Sequence, residues 1–310
     1  MSKSPKARQE KSTPLSYLNR INPISRFEAA PETTITQAPA RATDGQTHHF
    51  SASSSINVVT PNAVTPNVIT PNVITPNVIT VLSWNIAKNN QAKNWSKEFL
   101  DIVEQYQPDK IFLQEVRLCT ERQHLPELAP MGWSFAPNFI DTYRNTYSGI
   151  LIATKASLHG SQALMTDHTE PITNTPKASL FAEYSLMASR ENLLAVNTHL
   201  INFVELSKFE AQLRSLEATV GQHTGPIIFS GDFNTWNQAR WQKLQQMARR
   251  MGLTAVSFNA EDTANIKSFL RSPPLDYIFY RGFNQKPNTA TVISTVTSSD
   301  HNPLLVELCY

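Results

Sequence analysis

Cysteine is almost absent from this chain, which has only Cys119 and Cys309 among its 310 residues. Neither cysteine lies in a metal-ligand spacing, so a disulfide framework is not indicated and a reducing compartment is favoured. Long apolar runs are also missing, since no stretch approaches the ~20 apolar residues of a membrane span. Proline and polar residues interrupt the basic N-terminus where a signal peptide needs a continuous apolar region. We therefore expect a cytoplasmic protein, with tail-directed targeting or export left open.

Charge of one sign is not in large excess either. The chain carries 27 Lys or Arg against 25 Asp or Glu, and residues 1–79 hold seven of the former and four of the latter. The remainder therefore has 20 against 21, a balance of −1. A protein that binds nucleic acid mainly through the phosphate backbone normally shows a positive excess. Only a local basic rim remains open for such binding.

The N-terminal segment has a different composition from the rest of the chain. Residues 1–59 are rich in Ser, Thr, Pro and Gln and poor in aromatic residues, so they cannot bury enough apolar surface to fold and are predicted to be a disordered tail. Leu15 to Phe27 has apolar residues at helix-like spacing. That pattern suits either a docking or targeting segment or an incidental pattern in a mobile tail, and base rates for short patterns favour the second.

Residues 60–79 repeat with a period of five that begins Thr60-Pro61-Asn62. Short repeats can build β-solenoids. A proline in every unit, however, removes one backbone donor from each turn of such a sheet. We therefore predict a semi-extended linker that joins the tail to a domain at residues 80–310.

From about Thr80 onward, apolar periodicity indicates a domain with many strands and few helices. Helical spacing predicts helices at Trp95 to Tyr106, at 205–220 and at 237–251. Apolar runs predict strands at 77–84, 111–113, 148–154, 179–186, 193–198, 227–230, 277–280, 290–296 and 304–308. The elements do not alternate strictly, which favours a sheet packed on a sheet with helices outside.

Polar side chains stand at the ends of six of these strands. The clusters are Trp84-Asn85, Gln114-Glu115, Asn197-x-His199, Gly231-Asp232-Phe233-Asn234, Leu275-Asp276-Tyr277 and Ser299-Asp300-His301. Each alone has a plain structural explanation, such as a turn residue or an ordinary hydrogen-bonded histidine. Coincidence is a poor explanation for all six in this order. In particular, Asp232 and Asn234 are two residues apart, and extended chain would point them to the same side.

Together these motifs resemble the endonuclease/exonuclease/phosphatase superfamily over residues 80–310. The sequences of the motifs are similar to those of its bacterial YafD-like branch. Gly231-Asp232-Phe233-Asn234-x-Trp236 and Ser299-Asp300-His301-Asn302-Pro303 carry the likeness to that branch. The resemblance implies an α/β (α+β) fold, the DNase I-like four-layer α-β-β-α sandwich. It implies a site at one edge of the sheets.

The resemblance also implies a metal-dependent phosphodiesterase that uses Mg²⁺, with Mn²⁺ as a substitute. Glu115 is the expected principal ligand, helped by the carbonyl of Asn85 and by Asp300 as a further carboxylate. Mg²⁺ is usually held by one or two carboxylates together with waters and substrate phosphate oxygens.

The remaining implied roles concern proton transfer and phosphate contact. Asp232 is expected to deprotonate the attacking water and Asn234 to donate a hydrogen bond to a phosphoryl oxygen. His301, oriented by Asp276, is expected to stabilise the phosphate in the transition state, and His199 to contact the phosphate or protonate the leaving group.

Two positions qualify this assignment. Apurinic endonucleases carry an acidic residue two positions after the motif Asn, where this chain has Ala87, so a DNA-repair role is weakened while a single-metal phosphodiesterase is not. Tyr147 suits either a phosphate contact or a strand-edge position in the core.

The substrate stays open between nucleic acid and a phospholipid or small phosphoester. The balance of −1 favours the second, whereas the lack of an apolar membrane-binding hairpin opposes it. A catalytically silent interaction protein is a third alternative, although every polar group that the chemistry needs is present. Substrate choice is expected in loops 119–147 and 156–178, and the protein is expected to be a monomer.

Overall fold

A computed structural model describes residues 27–29, 34–37, 78–119, 121, 125–129, 131–186 and 191–310. The strands are β1 (Phe27–Ala29), β2 (Ile35–Gln37), β3 (Val78–Asn85), β4 (Lys110–Cys119), β5 (Gly132–Asp141), β6 (Thr146–Thr154), β7 (Leu158–Met165), β8 (Ala178–Ser185), β9 (Asn192–His199), β10 (Ile227–Asp232), β11 (Thr254–Ala255), β12 (Asp276–Arg281), β13 (Asn284–Gln285), β14 (Thr291–Val292) and β15 (Leu304–Cys309). The helices are α1 (Lys93–Tyr106), α2 (Leu206–Val220), α3 (Gln238–Arg250) and α4 (Ala260–Asn265), with a 3₁₀ turn at Pro126–Leu128.

The strands form two sheets. The nine-stranded sheet has the order β1-β5-β6-β4-β3-β15-β13, with β2 paired to β5 and β14 paired to β15. The six-stranded sheet has the order β11-β12-β10-β9-β8-β7. In each sheet the described pairings are antiparallel except one parallel pair at its centre, β3 with β4 and β9 with β10. Four of the six polar motifs lie on or at the ends of these central strands, whereas Asp276 begins β12 and His301 precedes β15.

Three apolar cores hold the layers together. One lies between the sheets, where Phe112 and Ile152 of the first meet Leu180 and Ala195 of the second. The second packs α1 against the outer face of the nine-stranded sheet, and the third packs α2 and α3 against the outer face of the six-stranded sheet. The resulting layers are helix, sheet, sheet and helix, so the predicted four-layer α-β-β-α fold is confirmed.

A buried amide network joins the two sheets close to the site. Asn197 on β9 donates from Nδ2 to the carbonyls of Leu113 (2.9 Å) and Leu151 (2.8 Å), which belong to the other sheet. Its Oδ1 accepts from Nε2 of Gln114 at 2.8 Å. Buried amides of this kind stabilise a structure only when they are hydrogen-bonded. Here the bonds fix the ends of β4 and β9 relative to each other.

Some elements differ from the prediction. The predicted strand 290–296 is only Thr291–Val292: Ile293 still donates to the carbonyl of Pro303, but Pro303 has no N–H to return the bond. Strands β5 and β7 were not predicted from the sequence. Two short strands, β1 and β2, lie inside the predicted tail and pair with β5, which otherwise presents an unpaired edge. The other residues of the tail, and residues 60–77 of the linker, lie outside the described part of the chain.

Candidate active site

Six polar residues meet at one edge of the two sheets and line a single cleft of about 340 Å³. They are Asn85, Glu115, His199, Asp232, Asn234 and His301, and Asp300 lines the same cleft. The strand register explains part of this convergence. Asp232 is aligned with His199 across the parallel β9–β10 pair and with Asp276 across the antiparallel β10–β12 pair. The sequence motifs therefore form one site, as predicted.

Asp232 lies buried at the centre of the site. Its Oδ2 accepts from Nδ2 of Asn85 at 2.9 Å and its Oδ1 accepts from the backbone N–H of Asn234 at 3.0 Å. Nε2 of His199 and Nε2 of His301 lie 3.6 and 3.9 Å from Oδ2. Burial raises the pKa of Asp232, and so does the neighbouring Asp276, while the two histidines oppose the shift. A carboxylate with a raised pKa is a stronger base than an exposed aspartate.

Gly231 allows the chain to pass very close to β9 just before Asp232. It has φ of 151°, and a Cβ atom there would lie 1.9 Å from the carbonyl oxygen of Thr198. Only glycine fits such an approach without displacing the backbone. Gly231 therefore lets β10 lie against β9 immediately before Asp232.

Asn234 reaches the cleft by a turn and not by continuing the strand. Strand β10 ends at Asp232, and Asn234 has φ of 49°. The strand alternation expected from the sequence was thus wrong in detail, because Asp232 caps the backbone N–H of Asn234 and turns the chain. Nδ2 of Asn234 donates to the carbonyl of Leu200 at 2.7 Å. An amide nitrogen carries two hydrogens, so this bond uses one of them.

His301 and Asp276 form a buried ion pair. Nδ1 of His301 lies 2.8 Å from Oδ2 of Asp276, as expected for a histidine oriented by that carboxylate. Burial alone would lower the pKa of His301, but the charge and hydrogen bond of Asp276, with the charges of Asp232 and Asp300, raise it to about 10. The imidazole is therefore protonated at neutral pH and can donate from Nε2.

Asp232, Asp276 and His301 together also have the spacing of a metal site. Candidate ligand atoms of Asp232, Asp276 and His301 lie within 4.8 Å of one another, the one such grouping of three found among the described residues. A histidine must be neutral to bind a metal. The raised pKa and the bond to Asp276 therefore make His301 a hydrogen-bond donor in preference to a ligand.

Glu115 projects into the cleft from an irregularity in β4. The pairing of β4 with β6 shifts between Leu113 and Val116, and Glu115 has φ of 56°. A bulge of this kind redirects a side chain next to a functional site. Oε2 of Glu115 lies 3.5 Å from Nζ of Lys88. Burial would raise the pKa of Glu115, but nearby positive charge, that of Lys88 first, lowers it to about 2.

The residues present fit a hard divalent cation at Glu115. Its carboxylate is ionised at neutral pH and about one quarter exposed, and a carboxylate oxygen is the ligand that Mg²⁺ prefers. The other two predicted ligands are already engaged. Asn85 accepts from Ser299 at its backbone carbonyl (2.6 Å), and Asp300 pairs with Nζ of Lys267 at 2.9 Å. Their roles as ligands stay predictions.

His199 differs electrostatically from His301. Burial first, and then the charge of Lys177, lower the pKa of His199 to about 4. The ring is therefore neutral at neutral pH. It can donate or accept a hydrogen bond, but it does not carry the additional proton that a general acid gives to a leaving group. Of the two roles expected for His199, phosphate contact fits the structure better.

Tyr147 lies in β6, away from the cleft lining. It packs on the core between α1 and the nine-stranded sheet, which agrees with the core alternative considered for it. Three lysines that no motif indicated do line the cleft, namely Lys88, Lys177 and Lys267. Only Lys177 comes from residues 156–178, where a substrate-contacting loop was expected, although Leu158–Met165 within that segment forms β7.

The chain matches a known family over most of this domain. Residues 82–301 match the Endonuclease/Exonuclease/phosphatase family. The chain therefore belongs to that family, which has a phosphoesterase fold. In this chain the fold contains a buried cluster of aspartate and histidine side chains.

Individual proteins agree with this assignment. A UPF0294 protein of Vibrio parahaemolyticus is 34% identical over 230 residues, covering 73% of this chain and 76% of the relative. Among solved structures, an endonuclease/exonuclease/phosphatase from Beutenbergia cavernae is similar with a TM-score of 0.60 and 16% identity, covering 75% of this chain and 71% of that one. The human Nocturnin catalytic domain with bound sulfate anion is similar with a TM-score of 0.54 and 19% identity, covering 76% of this chain and 96% of that one. At these identities the solved structures support the fold alone.

Proposed function

We propose that this protein is a Mg²⁺-dependent hydrolase of phosphodiester bonds that acts as a nuclease, with Mn²⁺ able to replace Mg²⁺, and that it belongs to the YafD-like branch of its family. One observation carries the proposal. The buried carboxylate of Asp232 is held by the amide of Asn85 and faced by two imidazoles, and it shares a cleft with the ionised carboxylate of Glu115. That arrangement pairs a general base with a metal ligand.

Each of these side chains has a separate role in the proposed reaction. Glu115 would hold the metal ion, which when bound neutralises phosphate charge and stabilises the leaving oxygen. Asp232 accepts a proton from the attacking water, for which its raised pKa suits it. The protonated His301 donates from Nε2 to a phosphoryl oxygen, and Asp276 holds the ring in that orientation.

Two neutral groups complete the phosphate site. Asn234 has a second amide hydrogen beyond the one bonded to Leu200, and it lines the cleft. His199, neutral at pH 7, offers a further hydrogen bond to the phosphate. Lys88, Lys177 and Lys267 also line the cleft, and each lies within 3.5 Å of a carboxylate of the same cleft, so their charges offset its acidic groups.

A lipid or small phosphoester is the second candidate, and the rim of the cleft favours it. Phe203 and Phe269 line the cleft while 60% and 46% exposed, and the adjoining Leu270 is fully exposed. Exposed apolar groups in one place often mark a surface that meets another apolar one. The domain's charge balance of −1 points the same way. None of the helices in the described residues is long and apolar enough to cross a membrane.

A panel assay tests the function. The full chain is incubated with plasmid DNA, RNA, sphingomyelin and phosphoinositides, each with Mg²⁺, with Mn²⁺ and with a chelator. We expect metal-dependent cleavage of nucleic acid that Asp232→Asn and His301→Ala abolish, whereas Asp101→Asn, an exposed aspartate paired to Lys97 on α1, leaves it intact. Cleavage of lipids alone would support the second candidate. Activity that survives Asp232→Asn would refute the site.

A silent interaction protein predicts a different result. Such a protein would bind no Mg²⁺, so calorimetric titration of the wild type and of Glu115→Ala would give the same blank trace even with a substrate analogue present. We expect binding by the wild type and a loss of it in the variant.

A further inference from the structure

The loop that carries His301 is held by a carboxylate that no sequence motif indicated. Residues 293–303, here called the histidine loop, lie between β14 and β15 and form neither helix nor strand. Side-chain contacts therefore fix their position, and Glu98 on α1 supplies four of them. Its Oε1 accepts from the backbone N–H (3.0 Å) and the hydroxyl (2.8 Å) of Thr297, and its Oε2 accepts from the backbone N–H (3.1 Å) and the hydroxyl (2.5 Å) of Ser298.

The side chain of Glu98 can hold all four donors only as a carboxylate. Burial would raise the pKa of Glu98, but the hydrogen bonds from Ser298 and from Thr297 lower it, so the group is ionised at neutral pH. Each oxygen of an ionised carboxylate can accept two hydrogen bonds. A glutamine in its place would turn an amide N–H₂ toward two of the four donors, and those donors would lose their acceptor.

Helix α1 supports Glu98 firmly, because residues beside it on the helix are packed in the core. Trp95 and Phe99 are buried, and their rings stack with centroids 4.8 Å apart. Trp95 also stacks on Trp84 of β3, with centroids 6.2 Å apart. Nε1 of Trp84 donates to the backbone carbonyl of His301 at 2.8 Å. The helix and the indole stacked on it therefore hold the histidine loop at two points, before the histidine and at the histidine itself.

Further hydrogen bonds connect the residues that Glu98 holds to the active site. The carbonyl of Ser298 accepts from Nδ2 of Asn89 at 2.7 Å. The hydroxyl of Ser299 donates to the backbone carbonyl of Asn85 at 2.6 Å and accepts from the backbone N–H of His301 at 3.2 Å. Because these bonds involve successive residues of the histidine loop, a displacement of Ser298 would also displace the backbone of His301.

We propose that Glu98 is a positioning residue for the reaction: by holding Thr297 and Ser298, it keeps the imidazole of His301 where it donates to the phosphoryl oxygen. The inference rests on the proposed function and deepens it, since Glu98 acts through His301. A shift of about 1 Å in a reacting group can cost ~10²-fold in rate. An interaction that is made mainly in the transition state affects kcat and leaves KM nearly unchanged.

Kinetics of Glu98→Gln in the full chain test the proposal, with Glu104→Gln, an exposed glutamate of the same helix, as the matched control. On a labelled oligothymidylate with Mg²⁺ we expect kcat to fall about tenfold in Glu98→Gln, with KM within about twofold of the wild type, and no change in the control. A folded Glu98→Gln with the kcat of the wild type, or a change confined to KM, would overturn the proposal. Thr297→Val/Ser298→Ala removes two of the four hydrogen bonds and takes the place of Glu98→Gln if that variant does not fold.

Proton NMR separates the positioning role from the function, because it needs no turnover. The proton between Nδ1 of His301 and Oδ2 of Asp276 gives a downfield signal that reports the placement of the ring. We expect Glu98→Gln to shift or broaden this signal and Glu104→Gln to leave it as in the wild type. A shifted signal in a protein that cleaves no phosphodiester would support the positioning role and count against the nuclease function alone. An unchanged signal, with or without a loss of thermal stability, would show that Glu98 supports the fold only, and the proposal would fall.

Discussion

Nδ1 of His301 and Oδ2 of Asp276 lie 2.8 Å apart in a buried pair that joins the loop before β15 to the first residue of β12. This pair keeps a proton on His301 across the neutral range, because it raises the pKa of the imidazole to about 10. The charge of the site at neutral pH therefore depends on Asp276 as much as on His301. Two consequences can be measured.

The first concerns Asp276→Asn. The substitution removes the charge and the ionic hydrogen bond that raise the pKa of His301, while the burial that lowers this pKa remains. We expect the pKa of His301 to fall from about 10, although the charges of Asp232 and Asp300 still raise it, and kcat at pH 8 to fall by about 10²–10³. NMR titration of the imidazole measures the pKa. A variant with full activity and an unchanged titration would show that Asp276 does not orient His301.

The same pair predicts a dependence of stability on pH. The pKa of His301 is raised on folding, so its contribution is fully present below the unfolded pKa of about 6.5 and is lost as pH rises through the folded pKa of about 10. The difference in free energy of unfolding between wild type and Asp276→Asn should therefore shrink between pH 6.5 and pH 10. Urea unfolding at several pH values measures it. A difference that stays constant over this interval would contradict the raised pKa.

The affinity of the site for metal should not fall near pH 4.5, where an ordinary glutamate takes up a proton. The pKa of Glu115, about 2, means that this carboxylate is already ionised at mildly acidic pH, so protons compete little with the metal at this ligand. We expect Mg²⁺ affinity, measured by calorimetry, to show no protonation step of Glu115 between pH 4 and pH 6. Lys88→Met removes the principal charge that lowers this pKa, and a proton-linked loss of affinity should then appear in that interval. Its absence would mean that Lys88 does not set the pKa.

Gly231 and Gly160 form a matched pair for testing the backbone at the site. Gly231→Ala would place a Cβ atom 1.9 Å from the carbonyl oxygen of Thr198, whereas a Cβ at Gly160 meets nothing within 4 Å. We expect Gly231→Ala to lower the free energy of unfolding by more than ~3 kcal/mol, because β9 and β10 must separate. Gly160→Ala should change it by less than ~0.5 kcal/mol. Similar losses in both variants, measured by urea unfolding, would refute the close approach.

The site was more predictable from the sequence than the strands around it. Asn85, Asp232 and His199 follow apolar runs, and a strand end is recognisable where such a run meets polar residues. Strand β5 (Gly132–Asp141) was missed because glycine, proline and asparagine interrupt it, and its pairing with β6 shifts at Pro137. Strand β7 lies at an edge with polar, exposed positions, so it lacks the apolar alternation that predicts a strand.

Other site residues had no signal in one sequence. Lys88 faces Glu115 only because β3 and β4 are parallel neighbours, and a lysine in a loop is most often simply exposed. Arg240 is 1% exposed on α3, where the amphipathic pattern alone would place an arginine on the solvent side. The oligomeric state and the cellular compartment stay predictions.

Arg240 should act as a positioning residue for two loops of the site. Its Nη1 donates to the carbonyls of Ile201 (2.9 Å) and Asn234 (3.1 Å), and its Nη2 donates to that of Val204 (3.1 Å). Burial lowers the pKa of this guanidinium only to about 10, so it stays charged at neutral pH. Arg240→Met would leave three carbonyls without this donor. We expect it to lower the free energy of unfolding by ~3–5 kcal/mol.

Arg240→Lys distinguishes positioning from general stability. A lysine keeps the charge, but its single ammonium lacks the planar fork that reaches two loops at once. In the folded lysine variant we expect kcat to fall at least tenfold with KM nearly unchanged, because Asn234 shifts relative to Asp232, and we expect added guanidinium to restore part of the rate to Arg240→Ala. Arg249→Lys, at the exposed end of the same helix, is the control. A lysine variant that is destabilised yet fully active when folded would show that Arg240 supports the fold and does not position Asn234.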